Sequence, residues 1–124
     1  MTWKIDQNRP IYIQLMEILE SRIISGVYKS GEKLPSVRTL ATEASVNPNT
    51  MQKAMSELDR TGVIHSNRTS GYFVTENLET INTLREEASK NIIEVFFMNM
   101  SSLGFSDDEI KTRLRHYIDN YKKV

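Results

Sequence analysis

Apolar residues fall along the chain in five blocks of helical spacing, interrupted once by a short stretch that changes period. The first block follows Pro10, whose fixed φ and missing N–H suit a first-turn position. Ile11, Leu15, Ile18, Leu19 and Ile23 then recur at helical intervals until Gly26. Lys33-Leu34-Pro35 reads as a short extended piece, because the residue before a proline is pushed out of the helical region. Ser36 is a suitable N-cap for a second helix with Val37, Leu40, Ala41 and Ala44 on its apolar side. Asn47-Pro48 opens a third, with Asn47 as cap and Pro48 at the first position. Its stripe is Met51, Ala54, Met55 and Leu58, and Gly62 sits where a helix end wants a left-handed residue.

The period then shortens. Val63-Ile64-His65-Ser66 and Gly71-Tyr72-Phe73-Val74 predict two strands around Asn67-Arg68-Thr69-Ser70, a hairpin with a polar, basic tip. From Leu78 a longer helical pattern carries Ile81, Leu84, Ala88, Ile92, Val95, Phe96 and Leu103 to Gly104. Ser106-Asp107-Asp108-Glu109 is a capping box that starts a last helix, whose stripe is Ile110, Leu114, Tyr117, Ile118 and Tyr121.

Helix, short strand, helix, tight turn, helix and hairpin, in that order, predict a winged helix-turn-helix. The fold class expected is mainly α with a small β wing, followed by a two-helix segment. In such a fold the third helix buries one stripe and turns the other side to solvent, where it fits a major groove of double-stranded DNA. Asn49, Thr50, Gln52, Lys53 and Ser56 occupy that side, with no acidic residue before Glu57. Asn and Gln can bond adenine edges, and Lys53 can meet guanine or phosphate. The competing explanation is an ordinary solvated helix face.

Composition narrows the classes. The chain has no cysteine and two histidines, so no disulfide, thiolate site or histidine-built metal site is expected, and no cofactor. No apolar run approaches the ~20 residues of a membrane span. The start Met1-Thr2-Trp3-Lys4-Ile5-Asp6 does not read as a secretion signal, so a cytoplasmic protein is expected. Neither a glycine-rich phosphate loop nor a plausible nucleophile–histidine–carboxylate set is present, which argues against an enzyme. Net charge is zero. Residues 33–75 carry an excess of two positive charges, so electrostatics alone would not suggest DNA. Neutral charge is the best support for a second class, a winged helix that serves as a protein–protein module.

Several segments together resemble the GntR family of bacterial regulators: Arg9-Pro10-Ile11-Tyr12-Ile13-Gln14-Leu15, Leu34-Pro35-Ser36-Val37-Arg38-Thr39-Leu40-Ala41, Val46-Asn47-Pro48-Asn49-Thr50, Glu57-Leu58-Asp59-Arg60-Thr61-Gly62-Val63-Ile64 and Gly71-Tyr72-Phe73-Val74. They cover residues 9–75 in family order and spacing. The short two-helix tail resembles the YtrA subfamily, whose members dimerise through such a tail and lack a large effector domain. The resemblance implies that Arg38 contacts DNA, that Asn47, Asn49, Thr50 and Gln52 form the DNA-facing start of the reading helix, and that Gly71 is the wing glycine. Arg68 and Thr69 at the wing tip join Lys53 as further DNA candidates. Two positions depart from the family pattern. Ser45 stands at a turn position that is often glycine, which predicts local strain. Pro48 and Gln52 stand where some relatives carry arginine, so a relative's base preference does not transfer.

The organisation expected is a DNA-binding domain over residues 1–76 and a dimerisation tail over 77–124. Ile92, Val95, Phe96, Leu103, Ile110, Leu114, Tyr117 and Ile118 are the candidate dimer contacts, because an isolated helical pair buries its apolar faces poorly. Phe96, Phe97, Met98 and Met100 could alternatively line a ligand or metal pocket, but packed dimer core is the simpler account. A homodimer would offer two reading helices to an inverted-repeat operator. The expected activity is transcriptional repression, with room for a small-molecule effector of unknown identity.

Overall fold

The computed structural model describes residues 3–67 and 70–121. Arg68 and Thr69, the proposed wing-tip contacts, lie outside the described residues. The element order is α1 (Ile11–Ile24), α2 (Val37–Ala44), α3 (Pro48–Thr61), β1 (Ile64–Asn67), β2 (Gly71–Val74), α4 (Leu78–Ser102) and α5 (Asp107–Tyr121). Two compact units are present, and their division falls inside α4, between Arg85 and Glu86.

The first unit is a winged helix-turn-helix. Its core joins Leu15, Leu19 and Ile23 of α1 to Leu40, Ala41 and Ala44 of α2 and to the whole predicted stripe of α3. Met51, Ala54, Met55 and Leu58 are completely buried. Full burial of one such larger side chain contributes about 1.5–3 kcal/mol. Ile64 and Val74, cross-strand partners, close the core from the wing side. The opening turns of α4 add Ile81 and Leu84, and Arg85 donates from Nη2 to the Ile24 carbonyl at 2.9 Å.

Local signals place the helices. Ser36 caps α2 by accepting from the Thr39 N–H at 3.0 Å. Pro10 stands one residue earlier than the sequence suggests, as the residue preceding the first turn of α1. Gly62 ends α3 at φ 83°, a conformation that carries no Cβ penalty in glycine. Between α2 and α3 the chain reverses through Ser45, at φ 57° and ψ 45° the one non-glycine residue with positive φ among those described. The strain read from the sequence is therefore present in the structure.

The wing is an antiparallel pair with Asn67 opposite Gly71. Its first strand begins at Ile64, one residue later than the apolar run suggests, so that Ile64 rather than Val63 faces Val74. Lys33 adds an antiparallel bridge to Phe73, and the Leu34 N–H donates to the Tyr72 carbonyl at 2.9 Å. The extended piece before Pro35 thus becomes a fragment of third strand.

Two polar residues of α1 are buried, contrary to an amphipathic reading. Gln14 receives the Asp6 N–H at 2.7 Å and donates to the Arg9 carbonyl at 3.0 Å, which ties the N-terminal segment to the helix. Arg22 stacks 4.2 Å from the Trp3 ring centroid and donates to the Tyr28 hydroxyl at 2.9 Å.

The second unit holds the rest of α4 and α5. The capping box forms as predicted, with the Ser106 N–H donating to Glu109 at 3.0 Å and the Glu109 N–H to Ser106 Oγ at 3.3 Å. These bonds favour the ionised carboxylate and hold Glu109 below its usual pKa.

Replacing Ser45 with Gly relieves the left-handed strain without removing a packed side chain, since Ser45 is exposed. Net of the greater freedom of the unfolded glycine chain, S45G raises stability by about 0.5–1 kcal/mol. Thermal unfolding checks this, and a lowered midpoint contradicts it.

Candidate nucleic-acid interface

Because α3 commits one side to the core, its opposite side is fixed in solvent. Asn49, Gln52, Lys53, Ser56 and Arg60 are exposed there, whereas Thr50 is half-buried at the margin. The Asn47 side chain accepts from the Asn49 N–H at 2.8 Å and so caps the helix. Its carbonyl oxygen is spent on the fold, which leaves its amide N–H groups for a ligand.

The uncapped amides and aligned peptide dipoles of a helix start attract anions. No acidic residue occupies the first turn of α3. The acids further along are engaged: Glu57 pairs with Arg60 at 3.8 Å, and Asp59 accepts from the Ser66 hydroxyl at 3.3 Å. The outward side near the start of α3 therefore carries donors and neutral amides.

Neighbouring elements steer two of these side chains. Lys53 Nζ lies 4.0 Å from the centroid of the Tyr12 ring on α1, a contact that holds the ammonium beside that helix. Gln52 Nε2 donates to the Tyr72 hydroxyl on β2 at 3.0 Å and to Ser56 Oγ at 3.2 Å. The outward face of α3 is thus bounded by α1 on one side and the wing on the other. Neither tyrosine stood out in the sequence as a neighbour of α3, because no spacing rule links a helix to a residue on another element.

Arg38 is exposed on α2 and makes no ion pair among the described residues. Its guanidinium is free to meet phosphate, for which its planar donor fork is suited. Gly71 opens β2 at φ 97°, where any side chain would be strained, so the wing turn requires glycine. His65 stacks on its cross-strand partner Phe73 with centroids 6.0 Å apart, which accounts for it structurally.

The candidate dimer residues separate into two groups. Ile92, Val95, Leu103, Leu114, Tyr117 and Ile118 are exposed, and Phe96 is half-buried. Ile110, at 4% exposure, is already buried within the single chain. Phe96, Met100, Leu114 and Tyr117, with Arg113, line an open cleft of about 340 Å³ in that unit. Among the described residues no group of three or more His, Cys, Asp or Glu is placed to hold a metal. None of the described helices is long and apolar enough to cross a membrane.

A polar, acid-free helix start turned outward beside a two-stranded wing defines a helix-turn-helix DNA-binding module of the kind that transcription regulators carry. The chain belongs to the bacterial regulatory proteins of the gntR family, whose sequence profile matches residues 11–74. It is 37% identical over 94 residues to the HTH-type transcriptional repressor YtrA of Bacillus subtilis, across 71% of this chain and 72% of the repressor. A GntR family transcriptional regulator from Listeria monocytogenes shares the fold with a TM-score of 0.84 and 37% identity, across 90% of this chain and 97% of that one. The DNA-binding domain of AraR, solved in complex with its operator ORE1, is similar at a TM-score of 0.53 and 26% identity, over 60% of this chain and 94% of that domain. The protein is accordingly a GntR-family transcriptional regulator with a DNA-binding domain.

The cap role of Asn47 is separable from any role in binding. Asn47→Ala lowers stability by about 1 kcal/mol, while Asn47→Asp, which can also cap, retains most of it. Chemical denaturation measures both, and equal losses in the two variants contradict a capping role.

Proposed function

We propose that the protein is a repressor that binds an inverted-repeat operator as a homodimer, through α3, Arg38 and the wing, in the bacterial cytoplasm. One observation carries the reading of DNA as ligand: the outward side of α3 near its start bears Asn49, Gln52, Lys53 and Ser56 and no carboxylate. In a major groove these side chains reach base edges, Arg38 meets phosphate, and the wing tip with Arg68 and Thr69 follows the adjacent backbone. The relative named YtrA is a repressor, and AraR engages an operator with a similar domain. Both support carrying the same activity over to this chain.

The homodimer follows from the tail. Among the described residues from 86 to 121, Ile110 alone is buried, whereas Ile92 is 70% exposed, Leu103 72% and Tyr117 62%. That much apolar surface on one short unit calls for a cover, and a second copy supplies it with two-fold symmetry. Two reading helices then face half-sites about one helical turn apart, or a multiple of it. Residues 77–124 act as the dimerisation segment, although Ile81 and Leu84 at its start also complete the core of the winged unit.

Binding to a duplex selected from a random pool tests the regulator. Affinity falls steeply with added salt, and Arg38→Ala weakens it about tenfold and lowers the slope of log affinity against log salt by about one. Negligible binding at low salt contradicts the proposal and favours a protein–protein module. Ile92→Asp, at a position exposed in the single chain, converts dimer mass to monomer in sedimentation and weakens operator binding at least about tenfold. A wild-type chain that sediments as a monomer contradicts the dimer.

A further inference from the structure

The reading helix and the wing meet at one cluster of side chains, and the chemistry of that cluster bears on which bases the protein selects. A primary amide carries two N–H donors on its nitrogen and one acceptor oxygen. In Gln52 the amide nitrogen donates to two hydroxyl groups of the protein, Tyr72 Oη at 3.0 Å and Ser56 Oγ at 3.2 Å. Among the described residues none donates to Gln52 Oε1. Gln52 and Ser56 are exposed and Tyr72 is half-buried, so the anchor of this tie on the wing is partly packed.

We propose that Tyr72, assisted by Ser56, is a specificity-positioning residue that turns Gln52 into a hydrogen-bond acceptor toward DNA. The inference rests on the DNA-binding reading above and goes beyond it. An unconstrained glutamine reads adenine by two bonds, donating to N7 and accepting from the 6-amino group. With both N–H groups held by Ser56 and the wing, the bond to N7 is lost and the bond from an exocyclic amino group remains. Adenine and cytosine both present such an amino group in the major groove. Guanine shows O6 and N7 there, and thymine shows O4 and a methyl group, so each opposes Oε1 with another acceptor or an apolar group. Gln52 therefore accepts adenine or cytosine on the strand it faces and rejects guanine and thymine. The wing, through Tyr72, takes part in base selection without touching that base.

The test uses the whole 124-residue chain. Selection of duplexes by the wild type and by Gln52→Ala locates the base pair whose preference depends on Gln52. At that position two adenine analogues separate the contacts. Purine, which lacks the 6-amino group, weakens wild-type binding about fivefold, the worth of one hydrogen bond. Replacing adenine with 7-deazaadenine, which lacks N7, changes it less than about twofold. In Tyr72→Phe a released N–H reaches N7, so 7-deazaadenine now costs about fivefold and adenine gains over cytosine. Ser56→Ala, which frees the other hydrogen, asks the same question should Tyr72→Phe fail to fold. Equal sensitivity of the wild type to the two analogues overturns the proposal. So does indifference to loss of the amino group, or the absence of any Gln52-dependent position. A wild type that enriches no duplex at all ends the regulator reading itself, which is a different result from an operator that ignores Tyr72.

Discussion

The stripe of Met51, Ala54, Met55 and Leu58, wholly removed from water, determines which way α3 faces. A helix has a single rotational setting that buries such a stripe, because residues three and four apart share a face and their neighbours do not. Turning α3 by a third of a revolution would expose two methionines and a leucine and bury Gln52 or Lys53. The loss of transfer free energy and the burial of an unpaired amide or ammonium would add to each other. The core thus decides that Asn49, Gln52 and Ser56 look outward, and the remaining features of the proposed binding face follow from that orientation.

Local strain is accepted to keep this geometry. Ser45 adopts a left-handed conformation so that α2 can hand over to α3 within Ser45-Val46-Asn47, and Asn47 at once repays part of the disruption by capping the new helix. The wing closes on the same helix from β1 and β2. Asp59 to Ser66 and Gln52 to Tyr72 are its polar fasteners, and they make the hairpin and α3 one surface. Lys53 is drawn in the opposite direction, toward Tyr12. A face held at both margins is preorganised, which reduces the ordering cost of docking against a rigid groove.

Much of this was legible in the sequence because it depends on local rules. The stripe of α3, the Asn47-Pro48 start, the Ser106–Glu109 capping box and the extended piece before Pro35 all follow from spacing and from single-residue preferences, whereas the strain at Ser45 was implied by the family resemblance. What escaped depends on partners distant in the chain. Gln14 and Arg22 lie outside the apolar spacing that identified α1, and they are buried because the segment before the helix folds back to supply Asp6, Arg9 and Trp3. Tyr72 lies twenty residues from Gln52, and only the closure of the wing brings them together. Ile110 carried the same signal as the exposed positions of its stripe, since periodicity identifies an apolar face without saying which of its residues a neighbour within the unit will cover.

The central claim is that the outward side of α3 enters a duplex groove, and the side-chain amide resonances of Asn49 and Gln52 report on it directly. In an NMR titration of the full chain with its selected operator, the account predicts large shifts of those two amide groups together with backbone signals at the start of α3. Unshifted amides on α3, with changes confined to residues 86–121, would contradict it.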